Sequence, residues 1–232
     1  MIVWQDMVNG GQPYDLLRTS ILPLAGVTKL SDADPAPYGR ADAASRVQYY
    51  AEMRQTVELL YNCPCIALWT PFNEGWGQFD ALAAARAVRQ LDDTRYIDHA
   101  SGWPDQGWPE IQSRHIYFRP LRMKNDGRAL CLTEYGGYIL AIPEHKWCEK
   151  PFGYKVCPTP SALERDYRKL LERQVLPHIR TEGLTAAVYT QLTDVEQEMN
   201  GLLTYDREVL KIPAGTLREI HRRISFSESE DD

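Results

Sequence analysis

Residues 65–80 read CIALWTPFNEGWGQFD, and the fold is decided by how this stretch is interpreted. Its first half, Cys65 to Phe72, is short, apolar and rich in bulky side chains, as in a buried strand. The residues from Gln78 to Leu91, QFDALAAARAVRQL, carry small and apolar side chains suited to a helix. Asn73, Glu74 and Trp76, bracketed by glycines, therefore fall on a strand-to-helix loop.

The same design recurs along the chain. RYIDHASGW (95–103), IQSRHIYF (111–118) and ALCLTEYGGY (129–138) each run from apolar to polar, the last ending in Glu134 with two glycines behind it. Together with 2–6 and 185–192, six strands are predicted: 2–6, 65–72, 95–99, 113–118, 129–134 and 185–192. Helices are predicted over 42–61, with Asp42 as N-cap, and over 161–183, with Ser161 and Glu164 as a capping box and Gly183 at the close. A last helix begins near Pro213. Residues 19–42 and 139–160 read as long irregular loops, of the kind that tend to be functional. Strand, polar loop, helix is the rhythm of parallel strands with crossover helices, an α/β fold that binds ligands at the C-terminal ends of its strands.

Composition narrows the function. A chain of 232 residues, 44% hydrophobic, can bury a sizeable core, and one domain is the default expectation. A net charge of -6 argues against nucleic-acid or anionic-membrane partners, and no apolar run is long enough to span a bilayer. Five cysteines, an odd count, read as free thiols in a reducing compartment, which predicts a cytoplasmic protein. Cys63 and Cys65 lack a second pair to complete a zinc site, so no metal is expected. There is no phosphate-binding P-loop, no GxGxxG and no GxSxG elbow, and no cofactor is predicted. The tail SESEDD predicts a disordered acidic segment over 225–232, whereas MIVWQD opens directly on a strand, as in a piece of something larger.

Glu74 and Glu134 each end a buried-looking strand. One such glutamate could simply cap a helix or close a loop. Two, accompanied at strand ends by Asn73, Trp76, His115, Tyr117 and Tyr135, fit glycoside hydrolysis, in which one carboxyl donates a proton and the other attacks or activates water. Aromatic faces suit the C–H faces of pyranose rings. Asn73 could equally cap the helix, Tyr117 could cover the core rim, and His115 could be a satisfied core histidine.

IVWQDM (2–7), ALWTPFNEGWGQFD (67–80), IDHASGW (97–103), LTEYGGY (132–138) and VYTQLTDVEQEMNGLLTYDR (188–207) together resemble the catalytic barrel of glycoside hydrolase family 2, which includes β-galactosidases, β-glucuronidases and β-mannosidases. The resemblance covers nearly the whole chain. It implies a (β/α)8 TIM-type barrel represented by strands 3 to 8, with residues 1–224 as its C-terminal three-quarters. It further implies a retaining double displacement on β-glycosides, β-galactosides first, with Glu74 as acid/base and Glu134 as nucleophile about 5–5.5 Å apart. By the same resemblance Asn73 holds the sugar 2-hydroxyl, Tyr117 touches the nucleophile, and Asp6 and His99 occupy polar strand-end positions. The family's strand 8 tryptophan is replaced here by Tyr189 and Gln191. Implied partners are a carbohydrate substrate and either a missing N-terminal part or a second copy of the chain, and little hydrolysis is expected from the chain alone. A binding remnant that keeps the sugar cleft without turnover, and one part of a split enzyme, are the alternatives.

Overall fold

The computed structural model describes residues 1–224; the predicted acidic tail, 225–232, lies outside the described residues. Two compact units form, one from Met1–His115 with Asp126–Ala129, the other from Ile116–Asn125 and the described residues from Leu130 to 224.

The first unit is built on a parallel three-stranded sheet in the order β1 (Val3–Asp6), β2 (Ile66–Thr70), β3 (Tyr96–Ile97). Asp6 pairs with Thr70, and Trp69 with Ile97, which brings the C-terminal ends of the three strands to one edge. Helices α1 (Ala43–Leu60) and α2 (Ala81–Leu91) are the crossovers. Asp42 caps α1 as predicted, its carboxylate accepting from the amides of Ala44 and Ser45. Tyr49, Met53 and Val57 recur at every fourth residue of α1 and face the core. On α2 the small side chains of Ala81, Ala84 and Ala85 are fully buried, and Trp69, Phe72 and Phe79 fill the same cluster. β4 (Ile111–Ile116) brings His115 to the end of this unit.

The second unit pairs β5 (Ala129–Gly136) with β8 (Leu184–Thr190) in parallel, and a two-stranded parallel piece joins β6 (Tyr138–Ile139) to β7 (Lys155–Val156). Helix α3 (Pro160–Leu170) continues through a π-helical turn, Leu171–Val175, into α4 (Leu176–Glu182). The predicted cap at Ser161 is corrected to Thr159, whose hydroxyl accepts from the Ala162 amide. Pro160 suits the first helical position because it has no N–H to satisfy, so the helix starts one residue before the predicted box. Glu164 instead accepts from the Thr216 hydroxyl at 3.3 Å. The wide turn lies just before Pro177, which cannot donate to the helical ladder, and Gly183 closes α4 in left-handed geometry, as predicted. A last helix, α5 (Ala214–Arg222), starts after Pro213.

The mixed α/β arrangement with parallel strands agrees with the sequence reading. All six predicted strands occur, β3 reduced to two residues, and the 139–160 loop contributes β7. All five cysteines are free thiols. Among the described residues, no helix is long and apolar enough to cross a membrane.

Candidate active site

Glu74 stands four residues past the end of β2. Its backbone is left-handed (φ 54°), its amide donates to the Ser101 carbonyl at 3.0 Å, and its side chain is buried. The carboxylate meets His115 Nδ1 at 2.9 Å, and His115 Nε2 lies 3.0 Å from the Ser101 hydroxyl. The contact accommodates two protonation states that differ by one proton. A protonated Glu74 donates to Nδ1 while Nε2–H donates to Ser101, or an ionised Glu74 accepts from Nδ1–H while Ser101 donates to Nε2. The arrangement can therefore hold a proton on either side of the carboxyl–imidazole contact. Trp103, buried, packs edge-on against the His115 ring at 5.4 Å.

Asn73 pairs through its backbone with Ser101, and its side-chain Oδ1 is buried with no hydrogen-bond partner. The cap of α2 is Asp80, which accepts from the Ala83 amide, so the capping alternative for Asn73 falls away. Trp76 is 41% exposed and lies parallel to Tyr14, ring centroids 6.1 Å apart. Asp6 is exposed as a residue, yet its carboxyl is raised by desolvation against a hydrogen bond from Thr70 that pulls it down.

His99 does not behave as a ligand-facing residue. It is 1% exposed, and its Nε2 accepts from the Gln106 amide at 2.9 Å, which puts the proton on Nδ1, a buried atom with no partner. Burial lowers its pKa to about 4, so the ring is neutral. Its neighbour Asp98, missed by sequence reasoning, is 1% exposed, and neither of its oxygens has a partner of hydrogen-bonding geometry. Burial drives its pKa up to about 7, the Ser113 hydroxyl and His115 opposing the shift.

In the second unit, β5 carries Glu134. Leu132 pairs with Ala187 and Tyr135 with Tyr189, so three steps on β5 match two on β8, and the extra residue is a bulge beside Glu134. Bulges re-aim a side chain at the rim of a sheet. Tyr117 donates its hydroxyl proton to Glu134 Oε2 at 2.5 Å, and since a tyrosine has one such proton, Thr190 at 2.9 Å must donate to the Tyr117 oxygen. The Tyr154 ring stacks on Tyr117 at 3.6 Å between centroids. Burial, and after it the carboxylate, raise the Tyr117 phenol far above its ordinary pKa, so it serves as a donor and not as a base.

Tyr135 does not join this group. The bulge breaks the alternation of β5 and turns Tyr135 to the side of Leu130 and Leu132; it is 4% exposed in their apolar cluster, edge-on to Tyr189 and lining a cavity of about 340 Å³. Thr190 and Tyr154 belong to the Glu134 site and were not singled out from sequence. Thr190 ends a strand as the other site residues do, which was an available signal, whereas Tyr154 lies in a loop whose path no local pattern foretells.

No protein-family model matches the sequence, and no curated sequence relative is found. Solved structures with a similar fold do exist. A β-glucuronidase of an uncultured Clostridium species superposes with a TM-score of 0.59 at 12% identity, covering 96% of this chain and 40% of that one. A Bifidobacterium dentium β-glucuronidase in complex with coumarin-3-O-glucuronide gives 0.55 at 14% identity, with 81% and 35% covered. The Dictyoglomus thermophilum β-D-glucuronidase gives 0.54 at 14% identity, with 80% and 36% covered. The chain thus spans well under half the length of these relatives, and what it shares with them is a glycosidase-like fold.

Proposed function

We propose that this chain carries the catalytic chemistry of a retaining β-glycosidase of the (β/α)8 type, with Glu134 as nucleophile and Glu74 as acid/base. The observation that carries the reading is the contrast between the two glutamates. Glu134 receives a proton donor, Tyr117, that stabilises a carboxylate, whereas Glu74 shares a proton position with an imidazole.

In the first step Glu74 gives its proton to the glycosidic oxygen as the bond from that oxygen to the anomeric carbon breaks, and a Glu134 oxygen bonds to that carbon. The leaving group departs as an alcohol, and Glu74 is left ionised. In the second step Glu74 takes a proton from water, the water oxygen attacks the anomeric carbon, and the ester to Glu134 breaks. Tyr117 is then again hydrogen-bonded to a full carboxylate. Asn73, with its buried, unpartnered oxygen, is suited to accept from a sugar hydroxyl.

The test is covalent trapping. A fluorine at the sugar 2-position slows both steps, and an activated leaving group restores the first, so the glycosyl ester accumulates even where turnover is slow. A panel of such 2-fluoro β-glycosides (galactoside, glucuronide, mannoside and glucoside) is incubated with the chain and the peptides weighed. One glycosyl unit on the peptide holding Glu134, absent from Glu134→Ala, is the expected result. No label across the panel, or label on another residue, refutes the assignment. The galactoside is the first sugar to try, and the glucuronide follows because structures of similar fold act on that class by name.

A further inference from the structure

The Glu74 loop carries more than the carboxyl. Trp76, two residues on, presents 41% of its surface to solvent and lies parallel to Tyr14, at 4° between planes and 6.1 Å between centroids. The backbone that carries this tryptophan is fastened. The Trp76 amide donates to the Asn73 carbonyl at 3.0 Å, and the Gly77 amide donates to the Tyr38 carbonyl at 2.9 Å. A β-carbon at position 77 would stand 2.3 Å from the Gly10 carbonyl oxygen, so only glycine lets the two loops approach this closely. Buried Arg40 closes the joint from below, its Nε donating to the Gly77 carbonyl.

Tyr14 is anchored to the same turn. On either side of it the Gln12 amide donates to the Gly39 carbonyl at 2.9 Å and the Asp15 amide to the Pro37 carbonyl at 2.8 Å. The two loops that carry the rings are thus held against one short helical turn, Ala36–Tyr38. Rings carried on anchored loops and stacked on each other lose less freedom when a ligand arrives, and a parallel pair offers a flat apolar ledge to a third ring.

The position of this ledge gives it a chemical role, resting on the assignment of Glu74 as proton donor. That proton goes to the oxygen of the leaving group, so whatever is attached to that oxygen must lie next to Glu74 and its loop. We infer that Trp76 and Tyr14 form the leaving-group subsite, and that it takes a ring with an apolar face, aryl or pyranose, stacked on the ledge. Substrates with a small aliphatic leaving group forgo this contact.

The experiment measures dissociation constants by isothermal titration for matched phenyl and methyl β-glycosides of the four sugars above, using the full chain with Glu134→Gln to halt turnover. A phenyl glycoside that binds about 3- to 10-fold tighter than its methyl partner is expected, the range of a single aromatic stacking contact. Trp76→Ala and Tyr14→Ala should each shrink that ratio toward one, and Trp76→Phe, which keeps a flat ring, should restore most of it. A cellobiose-type disaccharide in place of the phenyl glycoside tells a pyranose occupant from an aryl one. Equal affinity for phenyl and methyl partners, or a ratio that survives both alanine variants, overturns the subsite while leaving the glycosidase reading standing. If none of the sugars binds in either form, the glycosidase reading itself fails, and the subsite falls with it.

Discussion

Replacing Asp98 with asparagine should make the stability of the chain depend on pH in a way that the wild type hides. Asp98 has an ordinary carboxyl pKa of 3.8 that burial raises to about 7, so between those values the native state holds a proton that the unfolded chain has released. Stability therefore falls as pH rises, by about 1.4 kcal/mol per pH unit, and loses about 4 kcal/mol across the window. His99 works in the opposite sense. Burial lowers its pKa from 6.5 to about 4, so between those values the unfolded chain holds a proton that the native state excludes, and stability rises with pH at the same rate, by about 3 kcal/mol in all. From about pH 4 to 6.5 the two slopes cancel. Their charge environments differ: Asp98 feels His115, Asp6 and Asp105, whereas His99 feels Asp105 and Arg128. Asp98→Asn leaves the histidine slope exposed, and its stability should climb by about 3 kcal/mol relative to wild type between pH 4 and 6.5, while His99→Gln should fall by a similar amount. Urea titrations followed by tryptophan fluorescence at half-unit pH steps measure both, and the difference between variant and wild type removes all other titrating groups. For a slope of 1–3 kcal/mol per molar urea the relative midpoint moves by about 1 M or more. A profile for Asp98→Asn that runs parallel to wild type over this window would show that the carboxyl is not held protonated, and the reasoning fails.

Two further substitutions probe the second unit. Tyr117→Phe removes the donor to Glu134 and should lower kcat on an aryl glycoside by about 10- to 100-fold, the worth of a charge-assisted hydrogen bond, with a smaller change in KM; an unaltered kcat excludes the assigned role. Lys211 and Asp194 form an ion pair at 2.6 Å, with side chains 0% and 2% exposed. Lys211→Met leaves a buried carboxylate without its cation and should cost about 3–5 kcal/mol in urea titration, most of it recovered when Asp194→Asn is added; a single variant as stable as wild type rules the pair out as a structural tie.

What could be read from sequence was what depends on neighbouring residues. Asp42 announces its helix because a capping carboxylate acts on the next three residues, and the apolar run 66–70 announces its strand by composition alone. The Ser161 box failed because two capping signals overlapped and the proline after Thr159 outweighed the serine. Strict alternation from Leu130 and Leu132 would turn Glu134, not Tyr135, to the core; the bulge between Leu132 and Tyr135 reverses this, and no local pattern announces it. His99 and Asp98 share one motif, yet their burial is set by packing from elements distant in sequence. The pairing of Tyr117 with Glu134 and Thr190 joins residues up to 73 apart, and the order of β4, β5 and β8 in one sheet brings it about.

The backbone at Glu74 is a different kind of signal, one that no sequence pattern contains. A left-handed glutamate is uncommon, because its β-carbon crowds its own carbonyl at a cost of about 1–2 kcal/mol that asparagine or glycine would mostly avoid. Here the unfavourable geometry coincides with a buried carboxyl, a shared proton with His115 and an amide fixed to the Ser101 carbonyl. Stability alone would favour Glu74→Gly, which relaxes the backbone and removes a buried ionisable group. This left-handed turn carries the carboxyl from the end of β2 to the imidazole, and the same loop carries Trp76. Packing alone calls for no buried carboxyl at this turn, whereas the proposed proton donor at Glu74 does.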